Sequence, residues 1–143
     1  MLLNTHDPSH RRVPPQSDIA QWPYAKLEGA RILVVEDEAM LVLEIESALE
    51  DAGAEVVGPC MNLRQALQEV QDREIDAAIL DVNLHGEDVF PVAERLFTRG
   101  IPFLFHTAHG ERMELRARFE NAPVCRKPIL VEDLLTELAG IVP

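Results

Sequence analysis

Four short apolar runs in this chain each end in polar or charged residues of the kinds that take part in catalysis and ligand binding. The runs cover residues 32–35, 77–80, 103–106 and 123–126, and their composition is typical of buried parallel strands. Because the carboxyl ends of parallel strands meet at one edge of a sheet, the polar residues at these ends should lie together in a crevice. Those residues are Glu36, Asp37, Asp81, Thr107 and Lys127.

Strand and helix patterns alternate from Ala30 to the end of the chain. Apolar helical spacing separates the runs, Asn62 is a plausible N-cap, and Pro91 is tolerable in a first helical turn. The pattern predicts strands at residues 31–35, 55–58, 77–81, 102–106 and 124–126. Five βα units with short loops predict an α/β domain, with a doubly wound five-stranded parallel sheet between two helical layers.

The first part of the chain differs in composition from the rest. Residues 1–28 contain four prolines and few periodic apolar positions, which predicts a flexible N-terminal extension before a single domain at 29–143. This extension also holds Trp22 and Tyr24, the only Trp and Tyr of the chain, so docking of the segment onto the domain or a partner stays open.

Charge and hydropathy exclude several classes of function. The 13 Lys and Arg against 25 Asp and Glu give a net charge of −12, which disfavours nucleic acid and anionic membranes as partners. The sequence contains neither a membrane-spanning apolar run nor a secretory leader, so we expect a cytoplasmic protein. Cys60 and Cys125 form no metal-ligand or disulfide pattern and are expected to be reduced, half-buried strand residues.

The carboxylates at the predicted sheet edge suit a magnesium ion. Mg²⁺ prefers oxygen ligands and is usually held by one or two carboxylates together with water. Asp37 and Asp81 can supply carboxylate oxygens, Asn83 can supply its backbone carbonyl, and Glu36 can hold a metal-bound water.

Asp81 is the candidate acceptor of a phosphoryl group. Its attack on phosphorus brings two anions together, so the reaction needs a divalent cation to offset their charge. Lys127 and the Thr107 hydroxyl can bind phosphoryl oxygens, and the backbone N–H groups of Val82 and Ala108 can assist them.

These motifs resemble those of a known family. Residues 30–142 resemble the response-regulator receiver domain of bacterial two-component signalling, through Val34-Val35-Glu36-Asp37-Glu38, Leu80-Asp81-Val82-Asn83-Leu84, Thr107-Ala108 and Lys127-Pro128. The resemblance implies a flavodoxin-like sheet with strand order 2-1-3-4-5, bound Mg²⁺, a histidine kinase as phosphodonor, and a cis bond between Lys127 and Pro128.

A narrower resemblance concerns stand-alone receivers with a Pro-Phe-x-Phe-Ala-Thr-Gly run at the fourth strand. Residues 81–87 and 91–94 are similar to that subgroup, but His106 replaces its Ala and Ala108 its Gly. Val124 occupies the position where many receivers carry an aromatic switch residue, so phosphorylation is expected to be read through the 106–112 loop. His106 and His109 are expected to be structural or solvent-facing. The alternative is more specific: a metal site formed by His85, His109 and Asp81.

The leading hypothesis is a single-domain response regulator that is phosphorylated on Asp81 and signals by protein–protein contact, or acts as a phosphate sink or kinase regulator. We expect no enzymatic activity beyond self-catalysed phosphorylation and dephosphorylation. A constitutive, phosphorylation-independent adaptor with the receiver fold is the alternative, although such adaptors usually lack the acceptor or the lysine. An aspartyl hydrolase fits less well, because Asn83 stands where a second acid is needed. Homodimerisation is left open.

Overall fold

The computed structural model describes residues 24–108 and 112–143, and strands alternate with helices along them. A 3-10 turn at Ala25–Leu27 precedes the first strand. The strands are β1 (Arg31–Val35), β2 (Glu55–Cys60), β3 (Ala77–Asp81), β4 (Asn83–Leu84), β5 (Glu87–Asp88), β6 (Phe103–Thr107) and β7 (Val124–Arg126). The helices are α1 (Ala39–Asp51), α2 (Leu63–Asp72), α3 (Phe90–Thr98), α4 (Arg112–Arg118) and α5 (Val131–Ile141).

Five strands form one parallel sheet in the order β2-β1-β3-β6-β7. The short strands β4 and β5 pair antiparallel with each other and stand apart from this sheet. The order along the large sheet is therefore the predicted 2-1-3-4-5, and the predicted fold class is confirmed. Because β2 and β3 lie on opposite sides of β1, the carboxyl ends of β1 and β3 border the crevice where such sheets bind ligands.

Each face of the sheet is covered by its own hydrophobic layer. On one face, Ile45 and Leu49 of α1 pack with Leu134 and Leu138 of α5. On the other face, side chains of α2, α3 and α4 pack together, and Phe119 contacts several neighbouring phenylalanine rings. Successive strand residues point to opposite faces, and this alternation decides which polar residues meet beyond the strand ends.

Strand β2 is longer than the sequence pattern predicted. The prediction ended it at Gly58, but the strand continues to Cys60 across a register irregularity between Leu33 and Val35 of β1. Gly58 has a φ of +95°, and a Cβ there would lie 2.8 Å from the backbone nitrogen of Cys60. Glycine therefore permits the irregularity that lets the strand continue. The cysteine lies fully inside the core, not half-buried as expected, and so does Cys125.

The other local predictions agree with the structure within a residue or two. Asn62 caps α2, since its side chain accepts a hydrogen bond from the backbone N–H of Gln65 at 2.9 Å. Pro91 lies in the first turn of α3. Strand β6 begins and ends one residue later than predicted. The expected helix at 111–119 is observed as α4, although residue 111 lies outside the described residues.

The end of the N-terminal extension packs against the domain. Leu27 is completely buried, and Tyr24 contacts the same hydrophobic layer as α1 and α5 while its hydroxyl donates to the carbonyl of Glu132 at 3.0 Å. Trp22, for which docking was also left open, lies outside the described residues. Within 24–108 and 112–143, no helix combines the length and apolar character that crossing a membrane requires.

Candidate functional site

Three carboxylates meet at the carboxyl edge of the sheet. Glu36 and Asp37 follow β1 directly, and Asp81 is the last residue of β3, so the parallel pairing of these strands brings them together. One oxygen from each residue lies within 4.8 Å of the other two. Glu36 and Asp81 are almost completely buried, with 1% and 5% of their surface exposed. Like charges this close in a buried setting repel strongly unless a cation lies among them.

Lys127 joins this acidic cluster from the end of β7. Its Nζ atom lies 3.0 Å from Glu38 Oε1, 3.2 Å from Glu36 Oε1 and 3.5 Å from Asp81 Oδ2. The lysine is held there from its backbone, since its N–H donates to the Thr107 carbonyl at 2.7 Å. The peptide bond between Lys127 and Pro128 is cis, as the resemblance implied. In this state the ammonium is closer to the two glutamates than to Asp81.

The cluster shifts the proton affinities of its members in opposite directions. Burial and the neighbouring charge of Glu36 raise the pKa of Asp81 to about 8. Burial would also raise the pKa of Glu36, but the nearby imidazole of His106 and the charge of Lys127 outweigh it and lower this pKa. Burial opposes the charge of Lys127 as well, but its contacts with Glu38, Asp81 and Glu36 raise its pKa above the ordinary value. Of the two buried carboxylates in the metal-free site, Glu36 is therefore the one that more readily carries negative charge.

A short hairpin fixes the third carboxylate. Asp37 Oδ2 accepts the backbone N–H of His85 at 2.9 Å, and the Nδ1 atom of this histidine lies 3.4 Å away. His85 adopts a φ of 51°, which is uncommon for residues other than glycine, and Asn83 Oδ1 accepts the N–H of Gly86 at 2.8 Å. The loop between β4 and β5 is thereby tied to the acidic cluster.

His106 is a buried member of the site. It is 3% exposed, and its Nδ1 atom lies 3.6 Å from Glu36 Oε1. Of the two expected options, a structural role agrees with this position and a solvent-facing role does not. Strand alternation could have found it. Leu104, two residues earlier, belongs to the hydrophobic layer of α1 and α5, as Val34 does two residues before Glu36. His106 and Glu36 thus continue the same face of the sheet.

The remaining predicted site residues differ in how closely they approach the cluster. Thr107 is buried at the end of β6, one residue beyond the histidine that pairs with Asp81 across the sheet. Asn83 and Ala108 are exposed, close to the strand ends as expected. His109 lies outside the described residues, so the alternative metal site that includes it is not observed. Glu38, whose contact with Lys127 was not foreseen, is the added member of the cluster.

The cluster suits a hard divalent cation. All three grouped ligand residues offer carboxylate oxygen, which matches the preference of Mg²⁺, and the raised pKa of Asp81 reflects negative charge that a cation would offset. Asp37 and Asp81 could hold the ion directly. Glu36 is positioned to hold it through water, since its side chain already contacts Lys127.

Comparisons with known proteins agree with this geometry. The chain is 32% identical over 120 residues to the transcriptional regulatory protein TcrA of Mycobacterium tuberculosis, covering 81% of this chain and 47% of TcrA. The chain thus spans about half the length of the curated relatives it matches. It is similar to the solution structure of SdrG from Sphingomonas melonis Fr1, with 42% identity, a TM-score of 0.67, and coverage of 78% of this chain and 94% of SdrG.

A second solved structure of SdrG shows its BeF3-activated conformation and matches with 41% identity and a TM-score of 0.62, covering 76% of this chain and 95% of that one. The family model described as the response regulator receiver domain matches residues 32–138, which include the acidic cluster and Lys127. The chain therefore belongs to the response regulator receiver domain family.

Proposed function

We propose that this chain is a single-domain response regulator, located in the cytoplasm, that accepts a phosphoryl group from a histidine kinase on Asp81. The observation that carries the proposal is the position of this carboxylate. It is buried at a strand end with Lys127 Nζ 3.5 Å from its Oδ2 atom, and Glu36 and Asp37 are grouped around it. The carboxylate lies at the edge of the sheet, where a phosphoryl donor would approach, and the Lys127 ammonium beside it could bind a phosphoryl oxygen.

The proposed reaction is a direct transfer between two side chains. An Asp81 oxygen attacks the phosphorus of the kinase phosphohistidine, the P–N bond breaks, and the imidazole leaves and takes a proton, so an acyl phosphate remains on the receiver. A Mg²⁺ ion held by Asp37, Asp81, the Asn83 carbonyl and, through water, Glu36 would neutralise negative charge on the phosphoryl oxygens. Lys127 moves from Glu38 towards the phosphoryl group.

The other contributions come from the end of β6 and the backbone. The Thr107 hydroxyl and the N–H groups of Val82 and Ala108 would donate to phosphoryl oxygens. The phosphorylated chain would then signal by contact with a further protein. Alternatively, it would act as a phosphate sink or as a regulator of the kinase. The SdrG relative supports this proposal, because its BeF3-activated conformation has been solved. Whether the chain forms a homodimer is left open.

Incubation with acetyl phosphate and Mg²⁺, followed by intact-mass spectrometry, tests the function. We expect the mass of one phosphoryl group on the wild type and none on Asp81→Asn. Asp72→Asn is the matched control, because it removes the same charge at the exposed end of α2 and should be phosphorylated like the wild type. Absence of the added mass in wild type, with beryllofluoride also failing to bind, would favour the constitutive adaptor.

A further inference from the structure

Two buried polar atoms face each other beside the acidic cluster. Glu36 Oε1 and His106 Nδ1 are 3.6 Å apart, and the two side chains are 1% and 3% exposed. Among the residues that the structure describes, neither atom has a hydrogen bond of good geometry, although Lys127 Nζ also lies 3.2 Å from the carboxylate oxygen. Buried polar atoms are nearly always paired, so a pair left slightly too far apart points to a contact that tightens in another state.

Lys127 is the group whose movement would change this pair. Its ammonium has three protons but lies within 3.5 Å of four carboxylate oxygens, two of Glu36 and one each of Glu38 and Asp81. A phosphoryl group on Asp81 would attract the ammonium away from the two glutamates. Glu38 is 60% exposed and can turn to water, but Glu36 is buried and cannot. The backbone N–H of Glu38 donates to Glu36 Oε2 at 3.2 Å, so Oε1 is the oxygen that would lose its partner. A buried carboxylate oxygen without a donor costs considerable free energy.

We propose that His106 is a positioning residue for phosphoryl transfer, whose Nδ1–H donates to Glu36 Oε1 and holds this carboxylate when Lys127 turns to the phosphoryl group. The inference rests on the proposed function. It concerns a feature of this chain, because the subgroup that the sequence resembles has Ala at this position and so has no side-chain donor there. With His106 as the second donor, Glu36 keeps its place beside the metal site through the whole reaction.

Substitutions at one position separate the hydrogen bond from the volume of the ring. In His106→Asn the side-chain amide nitrogen occupies the δ position, where it can replace Nδ1 as donor. His106→Leu keeps similar bulk without any donor. Leu104→Ala is the matched control, since this residue is buried on the same strand and face, two residues before His106, but carries no hydrogen-bond donor.

The measurement is the affinity for beryllofluoride in the presence of Mg²⁺, followed by amide NMR titration, with the Tm of each metal-free variant measured alongside. We expect His106→Leu to weaken binding by about tenfold or more, because Glu36 Oε1 is left without a donor and only Oε2 keeps the backbone N–H of Glu38. His106→Asn should restore most of the affinity. Leu104→Ala should lower the Tm but leave the affinity unchanged. Equal affinity of wild type and His106→Leu would overturn the inference, as would equal weakening in the Leu and Asn variants.

Nitrogen NMR of the imidazole tests the same contact in the wild type without any substitution. We expect Nδ1 to carry the proton before beryllofluoride is added, and its hydrogen bond to strengthen afterwards. An unprotonated Nδ1 in both states would contradict the inference even if a variant failed to fold. If wild type itself bound no beryllofluoride, the proposed function would fail instead, so the two failures are distinguishable.

Discussion

Replacing Asp81 by asparagine should stabilise the metal-free protein, although it removes the proposed phosphoacceptor. The carboxylate is buried beside Glu36, and this neighbourhood raises its pKa to about 8 from an ordinary 3.8. Between these two pH values the folded protein holds a proton that the unfolded chain releases. Folding therefore becomes less favourable as the pH rises through this window, and the neutral amide removes the penalty.

The size of the effect follows from the same window. Each pH unit between the unfolded-state pKa of 3.8 and pH 7 changes the folding equilibrium constant up to tenfold. The destabilisation by Asp81 at neutral pH is therefore at most about 4 kcal/mol. The attraction of Lys127 Nζ, which lies 3.5 Å from Asp81 Oδ2, already lowers this pKa and is contained in this upper bound. The amide relieves only part of the penalty because it leaves a polar group buried at the same place. We therefore expect a gain of about 2 kcal/mol in the free energy of unfolding at pH 7, close to zero at pH 4 and largest above pH 8.

Urea unfolding in the presence of EDTA at pH 4, 7 and 8.5 measures this profile. The control is Asp72→Asn, whose carboxyl is exposed on α2 and whose substitution should change stability by less than about 0.5 kcal/mol at every pH. An Asp81→Asn protein that is less stable than wild type at pH 8.5, or a gain that does not depend on pH, would refute the argument from crowded buried charge.

Three further predictions concern other parts of the molecule. Mg²⁺ at ten times its Kd should raise the free energy of unfolding of wild type by about 1.4 kcal/mol and so raise its Tm. If Mg²⁺ raised the Tm of Asp37→Asn by the same amount, Asp37 would be excluded as a ligand. The contact with Arg31 lowers the pKa of Asp76, so Asp76→Asn should reduce the Tm at pH 7. This reduction should disappear as the pH falls below 3.8, and a reduction that persisted there would have another cause. Leu27→Ala should cost about 2–4 kcal/mol in urea unfolding, while Leu130→Ala, at a side chain 68% exposed, should cost little; equal costs would show that the 3-10 turn adds nothing to the core.

The sheet order and the meeting of its polar ends could be predicted because both follow from short-range pattern and topology. Continuous apolar runs mark buried parallel strands, and right-handed connections leave few ways to arrange five of them. Strand order therefore brings Asp81 and Lys127, 46 positions apart along the chain, to the same edge of the sheet, where their side chains lie 3.5 Å apart. The sequence pattern did not predict the end of β2, because a glycine such as Gly58 often ends a strand. Only the register of the pairing with β1 shows that β2 continues to Cys60.

Side-chain partnerships inside the site were harder to predict. Strand alternation places His106 and Glu36 on the same face of the sheet. It does not reveal that the glutamate following β1 is long enough to approach the imidazole from two strands away. The contact of Lys127 with the exposed Glu38 has the same origin, because a flexible ammonium settles among all the carboxylates within its reach. Patterns in sequence fix which strand end carries each group, whereas charge and side-chain length decide the pairing.

The central claim, that Asp81 is the phosphoacceptor, is tested most directly by locating the phosphoryl group within the chain. Treatment of the acetyl-phosphate-reacted protein with sodium borohydride would reduce an aspartyl phosphate to homoserine, and tandem mass spectrometry of the peptides would show its position. We predict homoserine at position 81 alone, and only when Mg²⁺ was present during phosphorylation. Homoserine at position 37, or a phosphoryl group retained on a histidine with no reduced aspartate, would contradict the account.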